Sequence, residues 1–459
     1  MMKTANALAA AVLLSGCMSM PQEELLPVPL QHAEMPARWP ATQGLPRDVL
    51  NEDWWLGFGS SELNRVVEQA RAQSLDMQGA VARVAQARAQ AEQARANASP
   101  ELSAELSTAR TRTLGHGDQG DGQRWRGALT ASYELDLWGR LQSGSTAAQA
   151  LWQASVYDSE ALQLSVTAAV ANAWLQCVAL GERVSMAQQS LQIAERLLQL
   201  VEAKARLGAA TSLDLAQQRG LVAAQQRTLA AVEQQEAVAR ASLAVLSGHW
   251  TVQAPEQGSV FDLAVPQIQP GAPTELLTRR PDIARAEAQL QAAGANLQAA
   301  RAAMLPRLSL SAGVVSEPES LRRLLDRPLL SLALGLTAPI FDAGRLASQR
   351  DAAVARRQEL LASYRQAIMA AYGDVQIALD ASHGAQQQEQ AQAQELAQAR
   401  RALGLAQSRY RAGAETMLTL LETQRASFVA HDLAIQMRLE RLQASVALYK
   451  ALGGGWQLT

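Results

Sequence analysis

Apolar and polar side chains alternate along four short segments of the chain. In TASYELDLWGRL, residues 130–141, the alternation runs up to Leu137 and then stops. Regular alternation over about ten residues predicts a β-strand with one apolar face. Three further segments share the pattern, with an apolar residue at every second position: 102–106, 308–314 and 330–336. This is also the length of a tilted strand that crosses a bilayer, so the segments form either membrane-spanning strands or ordinary soluble hairpins.

The strands are predicted to come in two pairs. Polar loops at 111–124 and 316–328 join the strands of each pair, and they lie where extracellular loops would lie. Four strands cannot close a barrel, because bacterial outer-membrane barrels need at least about eight. If the strands span a membrane, the chain must therefore oligomerise.

Helical patterns replace the alternation after Gly139. No proline occurs between Arg140 and Arg206, so a single helix on the order of 100 Å is expected there. Heptads of apolar residues with small partners predict close coiled-coil packing, although the same stripe occurs on ordinary long helices and fibrous dimers. The heptads are Ile283, Leu290, Leu297 and Met304 with Ala286, Ala293 and Ala300, and Val184, Leu191, Leu198 and Ala205 with Ala187, Ala194 and Val201.

The sequence also contains an internal duplication. Three landmarks recur in the same order at an offset of roughly 205 residues: RANASPELS with RAAMLPRLS, WGRL with AGRL, and RLGAATSLDL with RAGAETMLTL. In each copy a helix ends before a proline, Pro100 or Pro306, and two strands, a Gly-Arg bend, a very long helix and a second helix follow. We therefore predict two structural repeats, residues 61–270 and 271–459.

The N-terminus has the features of a targeting signal. An apolar segment at 5–14 follows a basic residue and leads into the sequence LSGC. This ending resembles the bacterial lipobox, so residues 1–16 are expected to be a signal peptide and Cys17 to carry a covalent lipid. An ordinary signal peptide with a chance cysteine is the alternative. Met18 rather than aspartate follows the cysteine, which by the same resemblance implies an anchor in the outer membrane.

A tether is expected to follow the lipid. Prolines recur between Pro21 and about Pro46 too often for helix or sheet, which indicates an extended segment there, within a lipidated N-terminal tether predicted at 17–60. Ser60 or Ser61 can then cap the first long helix.

Composition and charge exclude several classes of function. The net charge of -2 gives no basic footprint for nucleic acid. The sequence has no GxxxxGK[ST] phosphate loop, no histidines at metal-ligand spacing and no recognisable nucleophile with its base, so we expect no enzyme, no metal site and no cofactor apart from the lipid. The uncharged stretch 161–181 contains Gln163 and Asn172, which disfavour a transmembrane helix. Cys177 in this stretch is expected to be a buried bystander.

Four longer motifs carry a family resemblance: WWLGFGSSELNRVVEQA, SYELDLWGRL, LLTRRPDIARAEAQLQAAGANLQAARAAMLPRLS and APIFDAGRL. Through them the chain resembles the TolC/OprM-type outer-membrane efflux lipoproteins over essentially its whole mature length. The resemblance implies a mainly α-helical protein with a transmembrane β part. Three copies would close a 12-stranded β-barrel, with four strands per chain, and a long periplasmic α-helical barrel would continue it. A strand would run directly into a very long helix because one conduit passes from lipid to water.

The resemblance also implies a function and a set of partners. The homotrimer would be the outer-membrane channel of a tripartite efflux pump, a passive exit duct for drugs and small molecules. An inner-membrane pump would supply the energy and a periplasmic adaptor protein would open the duct. Outer-membrane lipid would surround the barrel, and nucleic acid would play no part. The alternative is a lipid-anchored periplasmic coiled-coil scaffold without a pore, with soluble hairpins and no membrane-inserted trimer.

By the same resemblance, the duct is controlled where its helices turn, at RLGAATSLD and YRAGAETMLTLLE. These turns would form a periplasmic tip that is constricted at rest. The turn residues expected to meet the adaptor are Gly208, Thr211, Gly413 and Thr416. The gate residues carried over by position are Asp214, Tyr410, Glu415 and Glu422.

The acidic gate residues differ in detail from those of the family. Glu415 stands where TolC has an arginine, so an ion pair between Glu415 and Asp214 is excluded by sign, and Thr419 stands where TolC has an acid. Rings of acidic side chains in a narrow pore would favour cations and could bind them when the pore is shut. The alternative is that Asp214 and Glu422 are only solvated charges on a helix surface.

Overall fold

The structure, a computed structural model, describes residues 36, 39, 53–111, 122–251, 258–266, 268, 270–454 and 456. The chain divides into two units, residues 1–37 and 38–459, and the fold below is that of the second unit. The expected signal peptide, the lipidation site Cys17 and most of the expected tether lie outside the described residues.

Long helices alternate with two pairs of strands along the described chain. The helices are α1 (Ser61–Gln73), α2 (Leu75–Ala96), α3 (Arg140–Arg206), α4 (Ser212–Leu246), α5 (Leu276–Arg279), α6 (Pro281–Ala302), α7 (Arg345–Arg411) and α8 (Met417–Ala451). The strands are β1 (Glu101–Thr111), β2 (Gly122–Leu135), β3 (Arg307–Ser316) and β4 (Leu329–Thr337). The order α2, β1, β2, α3, α4 returns as α6, β3, β4, α7, α8, and α3 and α7 have 67 residues each.

The first helix begins where the sequence predicts. The Ser60 Oγ accepts a hydrogen bond from the N–H of Leu63 at 3.2 Å, which caps α1. A 3-10 helix, Trp54–Phe58, precedes it and buries Trp54 against Tyr449 of α8, with ring centroids 5.1 Å apart. Stacking of these two rings fixes the segment just before the first repeat on α8.

The strands form one antiparallel sheet in the order β1-β2-β3-β4. Its register places the apolar positions of all strands on one face, as the alternation predicts. One row of neighbours across this face is Leu102, Ala131, Ala312 and Leu332. The next row, on the opposite face, is Ser103, Thr130, Gly313 and Ser331. Every residue of β1 is exposed and β1 and β4 are both edge strands, so the single chain leaves two sheet edges open.

The junction between strand and helix differs slightly from the prediction. The alternation includes Leu137, but β2 ends two residues earlier, because the Asp136 carboxylate accepts a hydrogen bond from the N–H of Gln142 at 2.7 Å and so belongs to the start of α3. Gly139, with φ 71°, makes the bend into α3, and Gly344, with φ 84°, makes the bend into α7. The predicted Gly-Arg bend is confirmed in both halves.

The heptad positions lie in helix–helix contacts. α3 packs against α4 and α6, and α7 packs against α8. The buried heptad members are Ile283, Leu290, Leu297 and Ala293 in α6 and Ala187, Ala194 and Val201 in α3. The larger members in α3, Val184, Leu191 and Leu198, are half-buried in the single chain. In α3 the small residues therefore form the seam within the chain and the larger ones retain exposed surface, whereas in α6 the larger residues are buried within the chain.

The uncharged part of α3 is a core helix. Among the described residues, α3 alone has a window long and apolar enough to cross a membrane, and 61% of that window is buried inside the protein. Trp174, Leu175 and Val178 from this stretch lie in the main core cluster. Cys177 is also buried there, and burial raises the pKa of its thiol to about 11, which agrees with a bystander role.

Candidate gate at the helical tip

Two short turns join the long helices in pairs. In the first, Gly208 has φ 72° and the N–H of Ala209 donates to the Lys204 carbonyl at 2.8 Å. In the second, Gly413 has φ 74° and the N–H of Ala414 donates to the Arg409 carbonyl at 2.9 Å. No atom lies within 4 Å of a Cβ added at either glycine, so the left-handed backbone rather than lack of space requires glycine.

Asp214 takes part in the cap of α4. The Thr211 Oγ1 accepts from the N–H of Asp214 at 3.1 Å, and Asp214 Oδ2 accepts from the N–H and from the hydroxyl of Thr211, both at 2.8 Å. These bonds form a capping box, and they hold the pKa of Asp214 below its usual range. Both bonds from Thr211 end on Oδ2, so Oδ1 can accept a donor from outside the turn.

The second turn caps α8 in a similar way, with partly different residues. The Thr416 Oγ1 accepts from the N–H of Thr419 at 3.2 Å, while the N–H of Thr416 donates to Glu415 Oε1 at 3.2 Å. Glu415 Oε2 lies 3.2 Å from Nε of Arg409. The N–H of Thr416, then the Thr419 hydroxyl and the Arg409 guanidinium, lower the pKa of Glu415. In the first turn Asp214 both donates its N–H to the capping threonine and accepts from that threonine's N–H. In the second turn Thr419 donates the first of these bonds and Glu415 accepts the second.

A small apolar cluster brings the two turns together. Its buried members come from three helix ends: Val201 of α3, Ala406 of α7, and Met417 and Leu420 of α8. Tyr410, near the end of α7, packs against this cluster. All four of the predicted turn residues therefore lie at one end of the helical part.

Tyr410 is held by a cation that the sequence analysis missed. Lys204 Nζ lies 4.4 Å from the centroid of the Tyr410 ring and 3.4 Å from its hydroxyl oxygen. This contact joins the end of α3 to the end of α7. Lys204 and Arg409 occupy equivalent positions in the two repeats, each just before its turn. A cation repeated at this position is the feature of the sequence from which a contact near the turns could be predicted.

The three acidic residues that the resemblance predicts for the gate do not meet within one chain. Glu422 is exposed on α8, and in the part of the chain that the structure describes Asp214, Glu415 and Glu422 share no hydrogen bond or ion pair. Exposed leucines surround the turns: Leu207, Leu213 and Leu418. No group of His, Cys, Asp and Glu residues suited to a metal ion occurs among the described residues.

A family model described as outer membrane efflux protein matches residues 66–249 and 272–454, which together make up most of the chain. The chain belongs to the outer membrane efflux protein family. The resemblance to TolC/OprM-type channels is thereby confirmed.

Relatives of this efflux protein are similar over nearly their whole length. The pyoverdine export outer membrane protein OpmQ of Pseudomonas putida is 45% identical, over 92% of this chain and 92% of its own. OpmQ of Pseudomonas aeruginosa is 43% identical, over 99% of this chain and 98% of its own. The outer membrane protein OprJ of Pseudomonas aeruginosa is 32% identical, over 98% of this chain and 95% of its own.

Solved structures share its fold. The open state of the Neisseria gonorrhoeae MtrE outer membrane channel has a TM-score of 0.85 and 29% identity, over 92% of this chain and 96% of that chain. The outer-membrane channel OprN has a TM-score of 0.81 and 27% identity, over 92% and 97%. This efflux protein is therefore a channel of the outer membrane that extends into the periplasm, and it is not an enzyme. Its membership favours the channel over the scaffold without a pore.

Proposed function

We propose that three copies of this chain close one 12-stranded barrel in the outer membrane and that their helices continue it as a periplasmic tunnel. The open edges of the sheet carry this proposal. An edge strand with unpaired backbone groups cannot stand in hydrocarbon, and β1 and β4 expose such edges on either side of a sheet with a continuous apolar face. Pairing of β4 with β1 of the next copy satisfies both edges.

We infer that the chain is built from two repeats, at 61–270 and 271–459, and that a lipid on Cys17 anchors it. The returning order of elements and the two segments matched by the family model support the repeat. The LSGC sequence supports the lipid, which the mass of the N-terminal peptide of the mature protein would test.

The two helical turns form the resting constriction of this duct and the docking site of an adaptor. Exposed Leu207, Leu213 and Leu418 offer apolar contacts to an adaptor helix, and Tyr410 and the acidic residues hold the tip closed. Opening then requires the end of α7 to separate from the end of α3, which breaks the contact between Lys204 and Tyr410. The duct itself is passive, and an inner-membrane pump supplies the energy.

Conductance in planar bilayers tests the gate. We expect the purified trimer to pass small cation-selective currents, and the double variant Asp214→Asn with Glu422→Gln to pass currents several times larger with less preference for cations. The double variant removes the charges of both acidic residues. In the wild type, Oδ1 of Asp214 makes no bond to Thr211 and the exposed carboxylate of Glu422 is on the surface of α8, so both can reach donors on a neighbouring copy. Because the pKa of Asp214 is lowered, the cation preference of the wild type should persist below the pH at which an ordinary aspartate is neutralised.

A matched variant separates charge from helix capping. Thr211→Ala removes the cap, which is worth about 1 kcal/mol, but keeps the Asp214 charge. It should leave the cation preference unchanged. If Thr211→Ala increases the current as much as the double variant does, the shape of the turn closes the tip and the acidic gate is refuted.

We further infer that the cargo is pyoverdine. Relatives at 45% and 43% identity are both named for pyoverdine export, whereas relatives at 32% identity are named for other efflux systems. In a Pseudomonas putida strain that lacks its own OpmQ, this chain should restore pyoverdine in the medium to within about twofold of the parent strain, while OprJ should not. Pyoverdine retained in the periplasm despite normal amounts of the protein would contradict this cargo.

A further inference from the structure

The loop between β3 and β4, residues 317–328, folds back over the apolar face of the sheet. A Cβ added to Gly127 of β2 would lie 2.9 Å from Cδ1 of Leu324 in this loop. Gly127 alternates in phase with Leu129, so this Cβ would point to the apolar face. The loop therefore covers part of the face that meets lipid in the proposed barrel.

The covered part lies at the outer end of the sheet. The helices α2 and α3 adjoin the other end of β1 and β2, so the loop end faces away from the periplasm. The N–H of Trp125 donates to the Pro318 carbonyl at 2.9 Å, which holds the loop beside the first residues of β2. By strand alternation Trp125 lies on the apolar face too, at the level where aromatic girdles mark a membrane interface.

The loop exposes leucines and arginines side by side. Leu325 is 86% exposed and Leu321 47% exposed. The exposed arginines are Arg322, Arg323 and Arg327, and none of them forms an ion pair with a described residue. Of the acids in the loop, Glu317 pairs with Arg126 at 3.0 Å, so the arginines outnumber the remaining acids, Glu319 and Asp326. Apolar side chains beside unpaired cations are typical of a segment that lies in a membrane interface.

We propose that this loop docks on the outer leaflet by binding the phosphate groups of phosphorylated glycolipids. Guanidinium groups bind phosphate oxygens in a bidentate manner, and three arginines in one short loop would place several such donors at headgroup level. Leu321 and Leu325 enter the boundary between headgroups and acyl chains. The loop is then an outer collar that fixes the depth of the barrel in the membrane. This inference rests on the proposed barrel, whose apolar face meets lipid.

Retention of glycolipid by the intact trimer tests the proposal. The full-length protein is reconstituted in phosphatidylcholine nanodiscs that contain lipopolysaccharide, and bound lipopolysaccharide is counted by native mass spectrometry. We expect the variant with Arg322→Gln, Arg323→Gln and Arg327→Gln to retain at least threefold less than the wild type. The same three positions changed to lysine should retain an intermediate amount, because the charge remains and the bidentate geometry is lost.

Control arginines lie on helices away from the sheet. Arg227→Gln, Arg365→Gln and Arg401→Gln change three exposed arginines of α4 and α7 and should leave retention unchanged. Equal retention by the loop variant in intact trimers, or equal retention of glycolipid whose phosphates have been removed, would overturn the proposal. A failure of the barrel itself would be visible separately, since monomers rather than trimers would then appear in the same spectra.

Discussion

Replacement of Gly453 by alanine should destabilise the folded chain by about 3 kcal/mol or more, because a left-handed non-glycine residue and a forced backbone displacement act together. Gly453 has φ +91°, and an added Cβ would lie 1.9 Å from the carbonyl oxygen of Arg279 at the end of α5. That neighbour is backbone, so it cannot move aside by a change of rotamer. Arg280 donates to the Ala451 carbonyl at 3.1 Å and locks the same junction, which leaves little room for adjustment.

Thermal unfolding, followed by the loss of helical circular dichroism in detergent, measures this effect. Gly404→Ala is the matched control, since Gly404 lies inside α7 with no atom within 4 Å of an added Cβ. Alanine there should stabilise the helix by about 0.5–1 kcal/mol. A Gly453→Ala variant that melts at the temperature of the wild type would show that the junction can relax, and that the close approach has no energetic importance.

The same junction exists in the first repeat. Gly248 has φ +74°, and an added Cβ would lie 2.5 Å from the Gln73 carbonyl oxygen at the end of α1. Gly248 and Gly453 lie about 205 residues apart, like the predicted landmarks. At this offset residues 245–249, VLSGH, align with residues 450–454, KALGG, and only the glycine is shared. A glycine after a helix is expected for capping alone, so sequence reasoning could not foresee the contact with a distant backbone.

The strands were predictable because a one-sided sheet requires a period of two. Leu308, Leu310 and Ala312 lie on one face in the structure as they do in the pattern, and their cross-strand partners follow the same rule. The ends of the long helices were predictable because Gly139, Gly208 and their counterparts adopt left-handed backbone that other residues rarely adopt. Local chemistry decides all of these features.

Contacts between distant segments were not predictable in this way. The position of Lys204 over the Tyr410 ring depends on how the end of α3 packs against the end of α7. The family resemblance predicts a gate role for Asp214, and the structure adds a local role, since its carboxylate takes part in the cap of α4 with Thr211. Its gate role remains a prediction because it depends on neighbouring copies of the chain. A single residue can serve both roles, since each carboxylate has two oxygen atoms.

Leu332→Arg should prevent the protein from accumulating as a membrane-inserted trimer. Leu332 is 74% exposed on the edge strand β4 and lies in the apolar row with Ala312. An arginine on the lipid face near the middle of a barrel destabilises it by about 2–4 kcal/mol, and in a trimer the substitution is present three times. Trimers that resist SDS at room temperature, counted in outer-membrane extracts, should fall at least tenfold.

Ala333→Arg is the decisive companion, because it puts the same side chain one residue further along the same strand. Ala333 is exposed on the opposite face, paired with Ser311, and in the proposed barrel it points into the water-filled lumen. This variant should form trimers in normal amounts and shift the selectivity of the open pore towards anions. Equal tolerance of both arginines would mean that water reaches both faces, as in the soluble hairpins of a scaffold without a pore. A tolerated Leu332→Arg with a damaging Ala333→Arg would instead exchange the two faces, since only the face in contact with lipid rejects a charge.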